Sequence, residues 1–194
     1  MTTLLLARHG ETDWNRDRRW QGHADRPLTR RGRAQARELG RLIADEDLVG
    51  AYSSDLQRAR ETAELALAGR AVDLVTLPEL RERSFGSWEG LLDDEVPVRY
   101  PGDYELWESG EGHGASDAEP FSSVITRVKA AVRRIAGDHP EGAVLVVSHG
   151  GPLRVMHALA GGLDFVQHRR SIPEVANCAV SRCAFRDGIL TRIE

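Results

Sequence analysis

The sequence predicts an α/β fold, a three-layer α/β/α sandwich around a mostly parallel central sheet. Three observations carry that prediction. Short apolar runs alternate with longer amphipathic stretches, the order expected of strand–helix units with parallel strands. Two of those runs lead into a histidine, His9 and His149, and ligands of such sheets gather beyond the carboxyl ends of the strands. The 194 residues, 41% of them hydrophobic, suit one core and hence a single domain over 1–194.

The elements follow in order. Residues 3–7 are an apolar run that ends at the polar turn Arg8-His9-Gly10, a buried strand delivering a loop. Residues 29–46 read as a helix: Ala36, Leu39, Leu42 and Ile43 share a face, and Thr29 caps its start. A second strand is expected at 49–53 and a helix at 55–68, with Leu56, Ala59, Ala63 and Leu67 inward. Residues 72–77 make a third strand. From 85 to 120 the periodicity fails, and ten carboxylates between Glu89 and Glu119 face a single arginine, Arg99. A loop that long inside a compact domain is expected to be a lid or specificity insertion. Regular structure resumes at 121–136, where Val124, Ile125, Val128, Ala131, Val132 and Ile135 form a helical stripe. Residues 143–147 are the clearest buried strand, and Pro152 suits the first position of a helix over 152–160. The end, 178–194, reads as a hairpin turning at Asp187-Gly188.

Composition narrows the partners. The formal charge of −4 argues against a nucleic-acid binder, which would carry clustered basic residues. No apolar stretch approaches the length of a membrane span. Residues 1–6 lack a basic leader and a small-residue cleavage site, so they are expected to be the first strand rather than a signal peptide. Cys178 and Cys183 are an odd number of residues apart, which points them to opposite faces of a strand. A disulfide between them is therefore not expected, and a cytoplasmic location is. The expected partner is a small molecule, with a homodimer left open.

A few polar residues carry the chemistry. His9 sits at a strand end between an arginine and a glycine. Neutral imidazole is a competent nucleophile near neutral pH. Arg8 offers a fork of donors to a tetrahedral oxyanion, and Gly10 lets the backbone approach a ligand. Arg58 lies in the first turns of the 55–68 helix, where free amides attract phosphate; it reads equally as a solvated arginine. Glu82 is a candidate general acid for a departing alkoxide, or a surface carboxylate paired with Arg81 or Arg83. His149 is a second imidazole over the same anion, or a structural residue. The set says more than its members, because positioning and charge stabilisation are most of what phosphoryl transfer asks for.

These residues fall in motifs. Leu6-Ala7-Arg8-His9-Gly10-Glu11-Thr12 is followed by Trp14-Asn15, then Ser53-Ser54-Asp55-Leu56 with Arg58-Ala59 and Thr62-Ala63. Glu82 with Phe85-Gly86 and Trp88-Glu89-Gly90, and finally Ser148-His149-Gly150-Gly151, complete the series. In this order and spacing, over residues 3–151, the chain resembles the histidine phosphatase superfamily, also called phosphoglycerate mutase-like. The resemblance implies that His9 is the phosphorylated nucleophile and that Arg8, Arg58 and His149 bind the phosphoryl oxygens. It implies that Glu82 protonates the leaving alcohol and then activates water. Asn15, Gln21, Gly22 and Gly150 would help line the substrate pocket. The family hydrolyses phosphomonoesters with no metal or organic cofactor.

The superfamily holds mutases as well as phosphatases. Arg83 after Glu82, and the cluster Arg16, Arg18 and Arg19, suit a cofactor-dependent phosphoglycerate mutase. Three departures oppose it: Leu91-Leu92-Asp93 where mutases resemble one another in carrying a lysine, Trp107-Glu108-Ser109 where they carry a Trp and two arginines, and Gly151 where they tend to have Asn. An acidic lid also repels a bisphosphate. The expectation is hydrolysis of a small phosphorylated metabolite, with the mutase as first alternative and a non-catalytic phosphate-binding protein as second. His9-Gly10-Glu11 superficially matches the H-x-E of zinc deaminases, but Cys178 and Cys183 have the wrong spacing for the companion C-x-x-C, so no metal site is expected.

Overall fold

Six strands form one sheet in the computed structural model, which describes residues 1–193. They are β1 (Thr2–Arg8), β2 (Leu48–Ser53), β3 (Leu74–Thr76), β4 (Gly142–Ser148), β5 (Val180–Arg186) and β6 (Ile189–Arg192). The spatial order is β3-β2-β4-β1-β5-β6. β1, β2, β3 and β4 pair in parallel, and β5 and β6 add an antiparallel edge. The expected sandwich is therefore present. Its helices are α1 (Asp13–Arg16), α2 (Arg30–Leu42), α3 (Gln57–Ala66), α4 (Glu95–Arg99), α5 (Pro101–Ser109), α6 (Phe121–Asp138), α7 (Gly150–Ala160) and α8 (Phe165–His168).

The pleat explains the layering. Alternate residues of a strand face opposite sides of the sheet. Leu4 and Leu6 of β1, with Val144 and Val146 of β4, join a core with α6 and α7. Leu5 and Ala7, with Leu145 and Val147, join the core under α2 and α3. Both central strands are thus continuous apolar runs because both faces are covered. Thr29 caps α2 by accepting from the Gly32 amide, as its sequence position suggests. Leu42 departs from expectation: it is 62% exposed, because it lies about 60° from Leu39 on the side away from buried Ala36 and Ile43.

Several element boundaries shift. α7 begins at Gly150, so Pro152 is its third residue, and the Gly150 and Gly151 amides stay available at the helix start. The terminal hairpin turns at Asp187 and Gly188, both with positive φ (52° and 82°), as a tight two-residue turn requires. Its first strand starts only at Val180, and Glu194 lies outside the described residues. Cys178 packs in the α2–α3 core and Cys183 in the α6–α7 core, so the two free thiols lie on opposite faces. Among the described residues, no helix is long and apolar enough to cross a membrane.

The largest departure is the stretch 85–120. It holds α4 and α5, and it closes on its own small core of Trp88, Val96, Ala115 and Ala118. Trp20, Phe85, Leu91, Tyr100, Tyr104 and Trp107 pack around that core. α4 spans five residues and α5 buries none of its own, so neither is long or amphipathic enough to show a period in sequence.

Candidate active site

Parallel register brings the two histidines together. Arg8 pairs with Ser148 across β1 and β4, and the His9 amide donates to the Ser148 carbonyl at 3.0 Å. His9 and His149 therefore leave the same end of adjacent strands, and their rings stand 5.0 Å apart between centroids. β2 ends beside them, with Ser53 opposite Val147, and α3 then starts at Gln57. That start carries Arg58, which is only 1% exposed. The solvated-arginine reading of Arg58 is thereby set aside.

Hydrogen bonds fix which nitrogen faces what. His9 Nδ1 lies 2.7 Å from the Gly10 carbonyl, which can only accept, so the proton sits on Nδ1 and the Nε2 lone pair is free. Arg58 Nε donates to His149 Nδ1 at 3.2 Å, so His149 carries its proton on Nε2, a buried atom with no partner among the described residues. Burial, Arg58 and Arg8 together push the pKa of His9 well below 6.5. Burial, Arg58, His9 and Arg8 do the same to His149. Both rings are neutral near neutral pH. Burial also lowers Arg8 and Arg58, each opposed by Glu82. Arg58 braces the neighbouring loop by donating to the Gly22 and Ala24 carbonyls at 2.7 and 2.8 Å.

Glu82 arrives from another direction. Neither guanidinium beside it forms an ion pair with it: Arg81 forms a two-bond pair with Asp55, and Arg83 stacks over Phe85, Trp107 and Phe121. The Glu82 carboxylate instead accepts from the Arg83 and Gly151 amides, at 2.8 and 3.1 Å. A Cβ at residue 151 would meet Glu82 Oε1, so glycine lets the carboxylate approach this closely without shifting. Arg8, His9, Asn15, Gln21, Gly22, Arg58 and Glu82 line one cleft of about 650 Å³. Gly150 lines an adjoining lobe of about 230 Å³, with Glu82 and the rings of Trp107 and Phe121. Every sequence-derived candidate is thus at the cleft or, for His149, against His9. The arrangement presents a free imidazole lone pair, cationic donors for a tetrahedral anion, and a carboxylate beside them.

The sequence pattern of the histidine phosphatase superfamily (branch 1) matches residues 4–191. The chain belongs to this superfamily. It is 34% identical over 166 residues to phosphoserine phosphatase 1 of Hydrogenobacter thermophilus, covering 84% of this chain and 78% of that one. The structure of YhfR from Bacillus stearothermophilus superposes with a TM-score of 0.92 at 34% identity, covering 99% and 95% of the two chains. The alpha-ribazole phosphatase of Shigella flexneri gives 0.88 at 30%, covering 98% and 94%.

Sequence reasoning left several residues of this histidine phosphatase unassigned. Thr62 Oγ1 accepts from the Gly10 amide and donates to the Arg58 carbonyl, tying the two motifs together. Asn177 Nδ2 donates to the His9 carbonyl at 2.8 Å from a loop at the far end of the chain. Nothing local marks Asn177, because its partner is 168 residues away. Glu174, in the same loop, lines both lobes of the cleft. Asn15 and Gln21 are themselves held by Thr12: the Asn15 amide donates to Thr12 Oγ1, which in turn donates to Gln21 Oε1.

Proposed function

We propose that this chain is a phosphomonoester hydrolase that passes the phosphoryl group of a small metabolite through His9. The observation that carries this reading is the unprotonated Nε2 of His9, opening onto a cleft that Arg8 and Arg58 also line. In the first step the His9 lone pair attacks phosphorus and the P–O bond to the alcohol breaks. Glu82 gives its proton to the departing oxygen. Arg8, Arg58 and the His149 Nε2–H stabilise the equatorial oxygens, and each such donor is worth about 3–4 kcal/mol of barrier. In the second step the Glu82 carboxylate takes a proton from water as that water attacks phosphorus, releasing phosphate and restoring neutral His9. The relatives named for phosphoserine and alpha-ribazole phosphate suggest a substrate of that size. Two unpaired thiols fit a reducing compartment, so the reading places the enzyme in the cytoplasm.

One observation favours a mutase: Arg18 and Arg19 line the cleft. Arg19 is already engaged with the Gly90 carbonyl and Glu95. Asp93, Glu108 and Glu174 line it as well, so the field there is mixed rather than cationic. The reading is tested by quenching the enzyme during turnover of p-nitrophenyl phosphate. Acid-labile phosphate on His9 is expected, and His9→Ala should abolish both label and turnover. Substantial activity in that variant refutes the nucleophile. A parallel assay of 3-phosphoglycerate with a bisphosphoglycerate primer separates hydrolysis from transfer.

A further inference from the structure

Glu82 stands on a segment that belongs to no strand. After a 3₁₀ turn at Pro78–Leu80 the chain runs extended into the stretch that begins at Phe85. Buried carbonyls need partners, and here side chains supply them. Ser148 Oγ takes the Leu80 carbonyl at 2.8 Å, and His23 Nε2 lies 2.8 Å from that of Glu82. The rest falls to one residue of α6. Arg127 Nη1 donates to the carbonyls of Glu79 (2.8 Å) and Arg81 (2.5 Å), and Nη2 to that of Glu82 (3.0 Å). Its Nε and Nη2 also grip both oxygens of Glu119, at 2.8 and 3.0 Å. A guanidinium has five N–H donors, and all five are used. The Glu119 carboxylate accepts from the Ser84 amide, its own amide donates to the Ser84 carbonyl, and its carbonyl accepts from Arg83 Nη1. Residues 79–84 are therefore held by Arg127 on one side and by Glu119 on the other. Glu119 is also where the 85–120 stretch returns to α6.

We infer that Arg127, with Glu119, is a positioning residue that holds the Glu82 carboxyl at the leaving-group side of the cleft. The inference rests on the reading of Glu82 as general acid. Proton delivery needs the donor within hydrogen-bond reach of the departing oxygen, and the Glu82 side chain is aimed by its backbone and by the Arg83 and Gly151 amides. The Arg127 guanidinium does not line the cleft; besides its hold on the Glu82 backbone, it reaches the site as a charge that helps lower the His149 pKa. A lysine keeps the charge but cannot make five planar bonds.

The test compares phenyl phosphate, whose leaving group demands a proton, with p-nitrophenyl phosphate, whose leaving group demands little. Arg127→Lys and, as a milder second variant, Glu119→Gln should lower kcat for phenyl phosphate by about tenfold or more and for p-nitrophenyl phosphate by about twofold or less. The ratio of the two rates does not depend on how much enzyme is folded, so partial unfolding cannot imitate the result. Combined with Glu82→Gln, Arg127→Lys should cause no further change in that ratio. Equal losses on both substrates, or an undiminished effect in the Glu82→Gln background, overturn the inference. If Glu82→Gln itself slows both substrates equally, the acid assignment falls and this inference with it. If Glu82→Gln discriminates and Arg127→Lys does not, only the inference falls.

Discussion

His9 is kept neutral by three causes that act in one direction: burial first, then the Arg58 guanidinium, then Arg8. The same two arginines that would receive phosphoryl oxygens therefore also ready the nucleophile, because a cation beside an imidazole disfavours its protonated form. Replacing Arg58 separates the two contributions. In Arg58→Met, the ring of His9 should titrate at higher pH than in the parent protein, followed by NMR of the imidazole protons in the absence of substrate. The same variant should lose about 10²–10³ in kcat, the usual cost of one oxyanion donor. A His9 titration that does not move would leave burial and Arg8 as the causes and remove Arg58 from the account of nucleophile charge. His9, His149, Arg8 and Arg58 were legible in sequence because each sits next to the end of a periodic element. Asn177 and Arg127 were not. Their roles are set by contacts with residues far along the chain, and hydrophobic periodicity carries no information about such pairs.

At the scale of elements, the two halves of the cleft are held by different means. β1 and β4 are buried on both faces, and each fully buried leucine contributes roughly 1.5–3 kcal/mol. α4 and α5 rest instead on a satellite cluster in which Trp88 is the one large, fully buried side chain. Arg83 and Arg169 flank Trp107 of α5 at 5.4 and 4.9 Å, and burial among these rings lowers the Arg83 pKa to about 10. The strands and α6 were readable because a long run of one period declares itself. α4 and α5 were not, since their stability comes from aromatic contacts between segments rather than from an apolar stripe. That difference has a measurable consequence. Trp88→Ala should cost about 3–5 kcal/mol locally, the usual range for emptying an aromatic core site. Hydrogen exchange should then quicken across 91–118 while the amides of β4 and α6 stay protected. Faster exchange spread evenly over the sheet would show that the stretch is not a separate cooperative unit.

For the molecule as a whole, the two neutral imidazoles link the site to stability. Burial, with the neighbouring arginines, sets the folded-state pKa of both His9 and His149 well below 6.5. In the unfolded chain both rings titrate near that ordinary value. As pH falls through 6.5, the unfolded chain takes up protons that the folded chain refuses, so stability decreases. Once well below that pH, each ring contributes a slope of about 1.4 kcal/mol per pH unit, until the folded-state value is reached. From about pH 7.5 to 5.5 the two rings together should lower the melting temperature by about 5–10 °C in total in a chain of this size, and His157, whose pKa burial also lowers, acts in the same direction. The carboxylates whose pKa values are lowered by arginine partners, such as Asp13 and Asp55, act in a separate and more acidic window, below their ordinary value of 3.8. Thermal melts between about pH 5.5 and 7.5 therefore isolate the histidines. His149→Asn should flatten the dependence by removing one ring from the balance. A slope that His149→Asn leaves unchanged would take His149 out of this balance, whereas a melting temperature constant over that range would mean that His9 too is charged in the folded protein. The lone-pair chemistry assigned to His9 would then have to be withdrawn.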